Sequence, residues 1–210
     1  GSVLLTATVM AFSTLTAVPA EAATKKPGRI KTVKHSVSTS SATIRWTASK
    51  GAKYYRVCLM KDGGKTTKCT KRSGKTKARK VTFKNLKPTN GRDWFYRVYA
   101  YNSKGSIHSA RRSFDMRPGG AAAPITTSAA GYYLDTNWRG ITNARSYEIQ
   151  ISRYSSFRTK TSTKSTPLTR IRLKGLNGGN VYYTRVRGVN GSSVGPWSKT
   201  TRSRSGQLPF

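Results

Sequence analysis

From residue 42 onward, apolar and other side chains alternate along the chain. Ala42, Ile44 and Trp46 are separated by Thr43 and Arg45. Tyr55, Val57 and Leu59 alternate with Arg56, Cys58 and Met60. Trp94, Tyr96, Val98 and Ala100 alternate with Phe95, Arg97, Tyr99 and Tyr101. A period of two places one set of side chains on a buried sheet face and the other on the opposite face. Turn-forming clusters punctuate these runs: Ser49-Lys50-Gly51, Asp62-Gly63-Gly64, Thr89-Asn90-Gly91 and Asn177-Gly178-Gly179. No stretch after residue 24 carries a long apolar stripe of period 3.6. The pattern predicts an all-β chain.

The pattern also occurs twice. Trp46 and Trp138 are 92 residues apart, as are Ala52 and Ala144, Tyr55 and Tyr147, and Val57 and Ile149. Val98 and Val186 are 88 apart, as are Asn102 and Asn190. Anchors at a fixed offset, with one four-residue indel between them, mark an internal duplication. Each copy reads as one β-sandwich.

Within each copy the anchors run in a fixed order. A strand ends in Trp; Ala-x-x-Tyr-x-Val follows; then come Leu-x-Pro, Val-x-Ala-x-Asn and, in the second copy, Gly-x-Trp-Ser. The first copy carries Trp46, Ala52, Tyr55, Leu86, Pro88, Val98, Ala100, Asn102 and Ser109. The second carries Trp138, Ala144, Tyr147, Leu176, Tyr182, Val186, Asn190, Gly195, Trp197 and Ser198. This order resembles the fibronectin type III domain. Its style is similar to tandem domains of secreted proteins from high-GC Gram-positive bacteria. The resemblance implies two tandem immunoglobulin-like sandwiches, at 29–118 and 119–210, the second ending in a C-terminal linker. The copies depart from the pattern in places. Trp94 occupies the tyrosine-corner position, where an indole cannot supply the usual phenolic hydroxyl. Thr136 stands where the first copy has Ile44, and Gly188 where it has Ala100; both should weaken the second core. His108 stands where the second copy has Trp197. The segment 116–124 is short and rich in Gly and Ala, so modest freedom is expected between the copies.

Composition changes the picture mainly through charge and export. Residues 3–18 form an apolar, uncharged run, broken by Pro19 and followed by Ala20-Glu21-Ala22. This is the form of a secretory signal, with cleavage near Ala22 or Ala23. The run is shorter than the roughly 20 residues needed to span a bilayer. Residues 1–23 are therefore expected to be a truncated signal peptide, with 24–28 a linker, no transmembrane span, and a secreted or wall-associated protein. The chain holds 40 Lys and Arg against 6 Asp and Glu, a net charge of +34. Such a chain is attracted to polyanions. The excess is uneven: 29–118 carries 24 Lys and Arg against Asp62, Asp93 and Asp115, and 119–210 carries 14 against Asp135 and Glu148.

Cys58 and Cys69 are the only cysteines. In an exported chain they favour a disulfide. The resemblance puts 57–59 on the third strand, and Asp62-Gly63-Gly64-Lys65 reads as a hairpin turn. Centring that hairpin between the glycines sets Cys58 opposite Cys69, at a separation a disulfide spans. Cys58 is out of phase with Val57 and Leu59, so the bridge is expected on the solvent side of an edge hairpin. The rival uses are a zinc site and a catalytic thiol. Zinc would need further ligands, and only His35 and His108 are at hand.

Catalytic signals are missing. The acids beyond residue 24 are scattered, no nucleophile elbow occurs, and no glycine loop leads into a helix. The chain is expected to have no catalytic residues, cofactor or metal. The candidate binding residues are basic or aromatic. One set is the run after the first cysteine: Lys65, Lys68, Lys71, Arg72, Lys75, Lys77, Arg79 and Lys80. The other is the outward phase of two strands: Tyr54, Arg56, Phe95, Arg97, Tyr99 and Tyr101. Adjacent aromatic and Arg side chains can stack on sugars or bases while pairing anionic groups. The expected function is a monomeric, non-catalytic spacer or adhesion unit that binds an anionic polymer: wall polymer, acidic glycan or nucleic acid. The alternative is the N-terminal accessory region of an exported hydrolase of glycans, peptidoglycan or nucleic acid, with its catalytic domain beyond Phe210.

Overall fold

The computed structural model describes residues 25–61, 66–70, 78–87 and 94–206. Every regular element among them is a strand. The expected signal segment, the Gly63-Gly64 turn, and Lys65, Lys71, Arg72, Lys75 and Lys77 lie outside the described residues.

The first copy contains β1 (Val33–Val37), β2 (Ala42–Trp46), β3 (Tyr54–Met60), β4 (Thr66–Cys69), β5 (Lys80–Phe83), β6 (Trp94–Asn102), β7 (Gly105–His108) and β8 (Arg112–Phe114). The second contains β9 (Ile125–Ala129), β10 (Tyr133–Asn137), β11 (Ser146–Ser152), β12 (Thr161–Thr166), β13 (Arg170–Leu173), β14 (Val181–Asn190), β15 (Ser193–Val194) and β16 (Thr201–Arg204). One sheet of the first copy runs β1-β2-β5; the other runs β4-β3-β6-β7, with β8 also on β6. The second copy repeats this: β13-β10-β9 faces β12-β11-β14-β15, with β16 also on β14. All pairings are antiparallel.

The inward phase fills each sandwich as the alternation predicts. Ile44, Leu59, Tyr96 and Val98 are fully buried in the first core, with Trp46, Tyr55, Phe83 and Phe114 around them. Leu134, Ile149 and Val186 hold the same place in the second, against Trp138, Tyr147 and Leu173. Each such side chain contributes roughly 1.5–3 kcal/mol through removal from water.

The duplication extends to hydrogen bonds. Ser109 Oγ accepts from Val98 N–H at 3.1 Å, and Ser198 Oγ from Val186 N–H at 3.0 Å. Asn102 Nδ2 donates to the Lys25 carbonyl at 2.7 Å; Asn190 Nδ2 donates to the Met116 carbonyl at 2.8 Å. Gly28 N–H bonds Lys50 O at 2.8 Å, and Gly119 N–H bonds Thr142 O at 2.9 Å. The segments KKPG (25–28) and MRPG (116–119) thus play one role, each sealing the entry to its sandwich.

This sealing packs 116–119, the first part of the Gly- and Ala-rich segment 116–124, against the second sandwich. Pro118 is fully buried. Gly188 and Gly195 admit it: a Cβ on either would lie 2.9 Å from a neighbouring atom, of Pro118 and Ala144 in one case and of Gly119 in the other. Gly188 is therefore a close-approach position and not merely a lost methyl in the core. The buried Asp115 pairs with Arg145 at 3.4 Å, and its carbonyl accepts from Ser193 Oγ at 3.1 Å. Asn143 Nδ2, in the second copy, donates to Thr39 O at 2.8 Å and to Arg117 O at 2.9 Å, both in the first.

Candidate functional site

Cys58 and Cys69 form the expected disulfide, on the edge hairpin β3–β4. Cys58 opposes Cys69 and Leu59 opposes Lys68, after which a bulge brings Met60 opposite Thr66. One expectation fails here. Cys58 lies on the outward phase, yet it is 7% exposed and not solvated. It is flanked across the ladder by Arg97, whose Nε is itself buried.

The outward face of β3 and β6 brings several candidates together. Tyr54 lies opposite Tyr101 and Arg56 opposite Tyr99. The Tyr54 and Tyr101 rings stack at 5.0 Å between centroids, tilted by only 10°, and Tyr99 continues the row at 6.3 Å from Tyr101. His108 meets the edge of Tyr99 at 5.6 Å. Side chains of a flat antiparallel pair stand side by side on one face, which is why the row forms. Arg56 Nε donates to the Thr70 carbonyl at 3.2 Å and so ties this face to the end of β4. Phe95 and Arg97 lie further along, and Arg111 covers Phe95 at 4.4 Å.

Other candidates lie elsewhere. Lys80 begins β5, with Arg79 just before it, in the opposite sheet beside Arg45. Lys68 opposes the buried Leu59 and therefore takes the inward phase of the edge strand. Alternation alone did not single out His108 or Arg111; neither belongs to a strongly alternating run.

The second copy uses its corresponding cations internally. Arg185 lies over Phe157 at 4.1 Å and over Trp197 at 4.8 Å, while both its Nε and an Nη donate to Gln150 Oε1. Burial, and then neighbouring Arg187, pull Arg185 below the usual arginine range. Arg187 stacks on Trp197 at 4.4 Å and pairs with Glu148 at 2.6 Å. Arg172 holds Asp135 in a two-pronged pair, both contacts 2.7 Å, which lowers the Asp135 carboxyl below its usual range. Among the described residues, the ion pairs are these two and Arg145–Asp115. None uses a cation of the first copy.

Two further groups bear on the site's frame. Trp94 at the tyrosine-corner position does bond back: its Nε1 donates to the Lys87 carbonyl at 3.1 Å. In the second copy Tyr182 hydroxyl accepts from Asn177 N–H at 2.9 Å. The expected defect is thus repaired by reversing the direction of the bond. His35, on the edge strand β1, packs its ring on Tyr96 and Phe114 and bonds Tyr96 hydroxyl at 3.0 Å. Burial of the ring, and then Arg112, pull it below the usual histidine range. No group of three or more potential metal ligands occurs among the described residues.

No protein-family model matches the chain, and no curated protein matches it in sequence. Among solved structures it is similar to a two-domain fibronectin type III segment of chicken tenascin. The two share 12% identity with a TM-score of 0.55, over 86% of this chain and 99% of that one. It also aligns with the FN1–FN3 domains of chicken CNTN1, at 17% identity and a TM-score of 0.41, over 87% of this chain and 69% of that one. Two sandwiches in series, each of a three-stranded and a five-stranded sheet and similar to the tenascin pair, give this chain the fold of tandem fibronectin type III domains.

Proposed function

We propose that this chain is a non-catalytic, exported spacer and adhesion unit whose first module holds anionic polymers by distributed Lys and Arg contacts. The observation that carries the reading is the asymmetry of charge use. In the second module Arg172 and Arg187 are paired with acids and Arg185 with an amide oxygen. In the first module 24 Lys and Arg stand against three acids, of which Asp115 pairs with Arg145 of the second module and Asp62 and Asp93 lie outside the described residues. Such an excess of one sign attracts a polymer of the other.

The stacked row of Tyr54, Tyr101 and Tyr99 lies beside Arg56 on this surface. Fibronectin type III sandwiches make natural spacers, since chain entry and exit lie at opposite ends, and the tenascin segment is itself a two-domain piece. The disulfide fits an oxidising, extracellular setting. Wall phosphate polymers, acidic glycans and nucleic acid all offer the required charge.

Retention on immobilised polyphosphate, measured against salt, tests the reading. Binding should weaken steeply as salt rises, as for counterion release from DNA. Affinity that stays level from low to high salt would refute it.

A further inference from the structure

Resting on that reading, we propose that the first module contains one discrete anion pocket, which seats a single phosphate or sulphate group of the polymer. It is a cleft of about 250 Å³ between the β3–β4 hairpin and the segment 84–87. Its floor is apolar: Leu59, Leu86 and Trp94, all buried. Its rim is Lys61, Lys68, Lys84 and Lys87, all exposed.

The fold puts these four lysines on the lining of one cleft. Lys68 opposes Leu59, so it projects on the cleft side of the hairpin, away from the disulfide phase. Asn85 takes a left-handed conformation (φ 57°), which turns Leu86 into the core between two exposed lysines. Leu86 N–H is fixed to Ser40 O at 2.8 Å, and the Lys87 carbonyl to the Trp94 indole at 3.1 Å. Lys61 Nζ lies 5.7 Å from the centre of the Trp94 ring. Long lysine stems can lie over apolar surface and keep their ammonium groups in water. No described carboxylate pairs with any of the four. Like charges that share one rim repel each other, and an entering anion relieves that repulsion.

Size sets the ligand class. The cleft falls below the roughly 300 Å³ at which drug-sized pockets begin. It suits one anionic group, with the rest of the polymer lying outside. The second module shows what is special here. Its corresponding cleft, lined by Ile151, Lys164, Arg172, Lys174 and Leu176 among others, has two lysines and an arginine held by Asp135 where the first has four lysines. There Arg153 lies over Tyr182 at 5.3 Å, as Lys61 lies over Trp94.

The test compares two doubly substituted chains of equal charge, Lys68→Ala/Lys84→Ala in the cleft and Lys31→Ala/Lys34→Ala outside it. The probes are inorganic tripolyphosphate and immobilised long-chain polyphosphate. Tripolyphosphate affinity should fall at least about tenfold in the cleft pair, the scale of one lost charge-assisted hydrogen bond, and by under about twofold in the control. In the unsubstituted chain, tripolyphosphate should shift the Trp94 indole N–H resonance and leave those of Trp46 and Trp138 in place; this needs no variant to fold. Equal loss in both pairs, or no Trp94 shift, overturns the pocket while the distributed reading stands. Failure of the unsubstituted chain to bind the polymer even at low salt overturns the distributed reading itself.

Discussion

Removing the disulfide tests how the edge hairpin is held. Cys58 and Cys69 are 11 residues apart and sit on the outermost strand of their sheet, where β4 has only β3 as a partner among the described residues. Closing a loop of that length removes unfolded-state entropy worth about 3 kcal/mol. The value is an upper limit, because the hairpin turn already biases the ends toward each other. The double variant Cys58→Ala/Cys69→Ala avoids leaving a lone thiol beside Arg97. At about 4–8 °C per kcal/mol for a domain of this size, the first module should melt about 10–20 °C lower. Calorimetry supplies its own control, since the second module has no cysteine and should keep its transition. A first-module transition that moves by less than about 2 °C refutes the entropic account. So does a second-module transition that falls by as much as the first.

Three further outcomes follow from buried or strained positions. Thr136 is 2% exposed and its hydroxyl has no partner among the described residues, so Thr136→Val should stabilise the second module by about 1–2 kcal/mol in denaturant unfolding; a loss of stability would show that the hydroxyl is satisfied. Gly191 has a φ of 55°, and a Cβ there would collide with the Asp115 carboxylate, so Gly191→Ala should cost at least about 1 kcal/mol and shift the amide resonances of 115–117; unchanged spectra would remove Asp115 from the joint. The lowered His35 pKa means that the unfolded chain binds the proton more tightly than the folded one. Stability is then full above about pH 6.5 and declines as pH falls from there toward the folded value, and His35→Gln should flatten this part of the first module's melting profile; an unaltered slope would exclude His35 as its source.

The period-two alternation, the paired anchors and the turn clusters determined a duplicated all-β sandwich, because one buried face per strand is a local property of the chain. Counting from a hairpin centred between Gly63 and Gly64 likewise set Cys58 opposite Cys69, the pairing the ladder shows. The bulge past Leu59 did not follow from counting, and neither did the burial of Cys58 by its cross-strand surroundings. Trp94 at the tyrosine corner read as a loss, because only the loop's path reveals that the Lys87 carbonyl waits for an indole donor. The Gly- and Ala-rich linker read as loose, because a chain's composition cannot show that Asn190, Gly188 and Gly195 prepare a seat for 116–119. Charge was legible as a total, but its use was not. Which cations meet acids or rings, as Arg187 and Arg185 do, and which line one cleft, as Lys61, Lys68, Lys84 and Lys87 do, depends on contacts between residues far apart in sequence, and only the packed sheets bring those residues together.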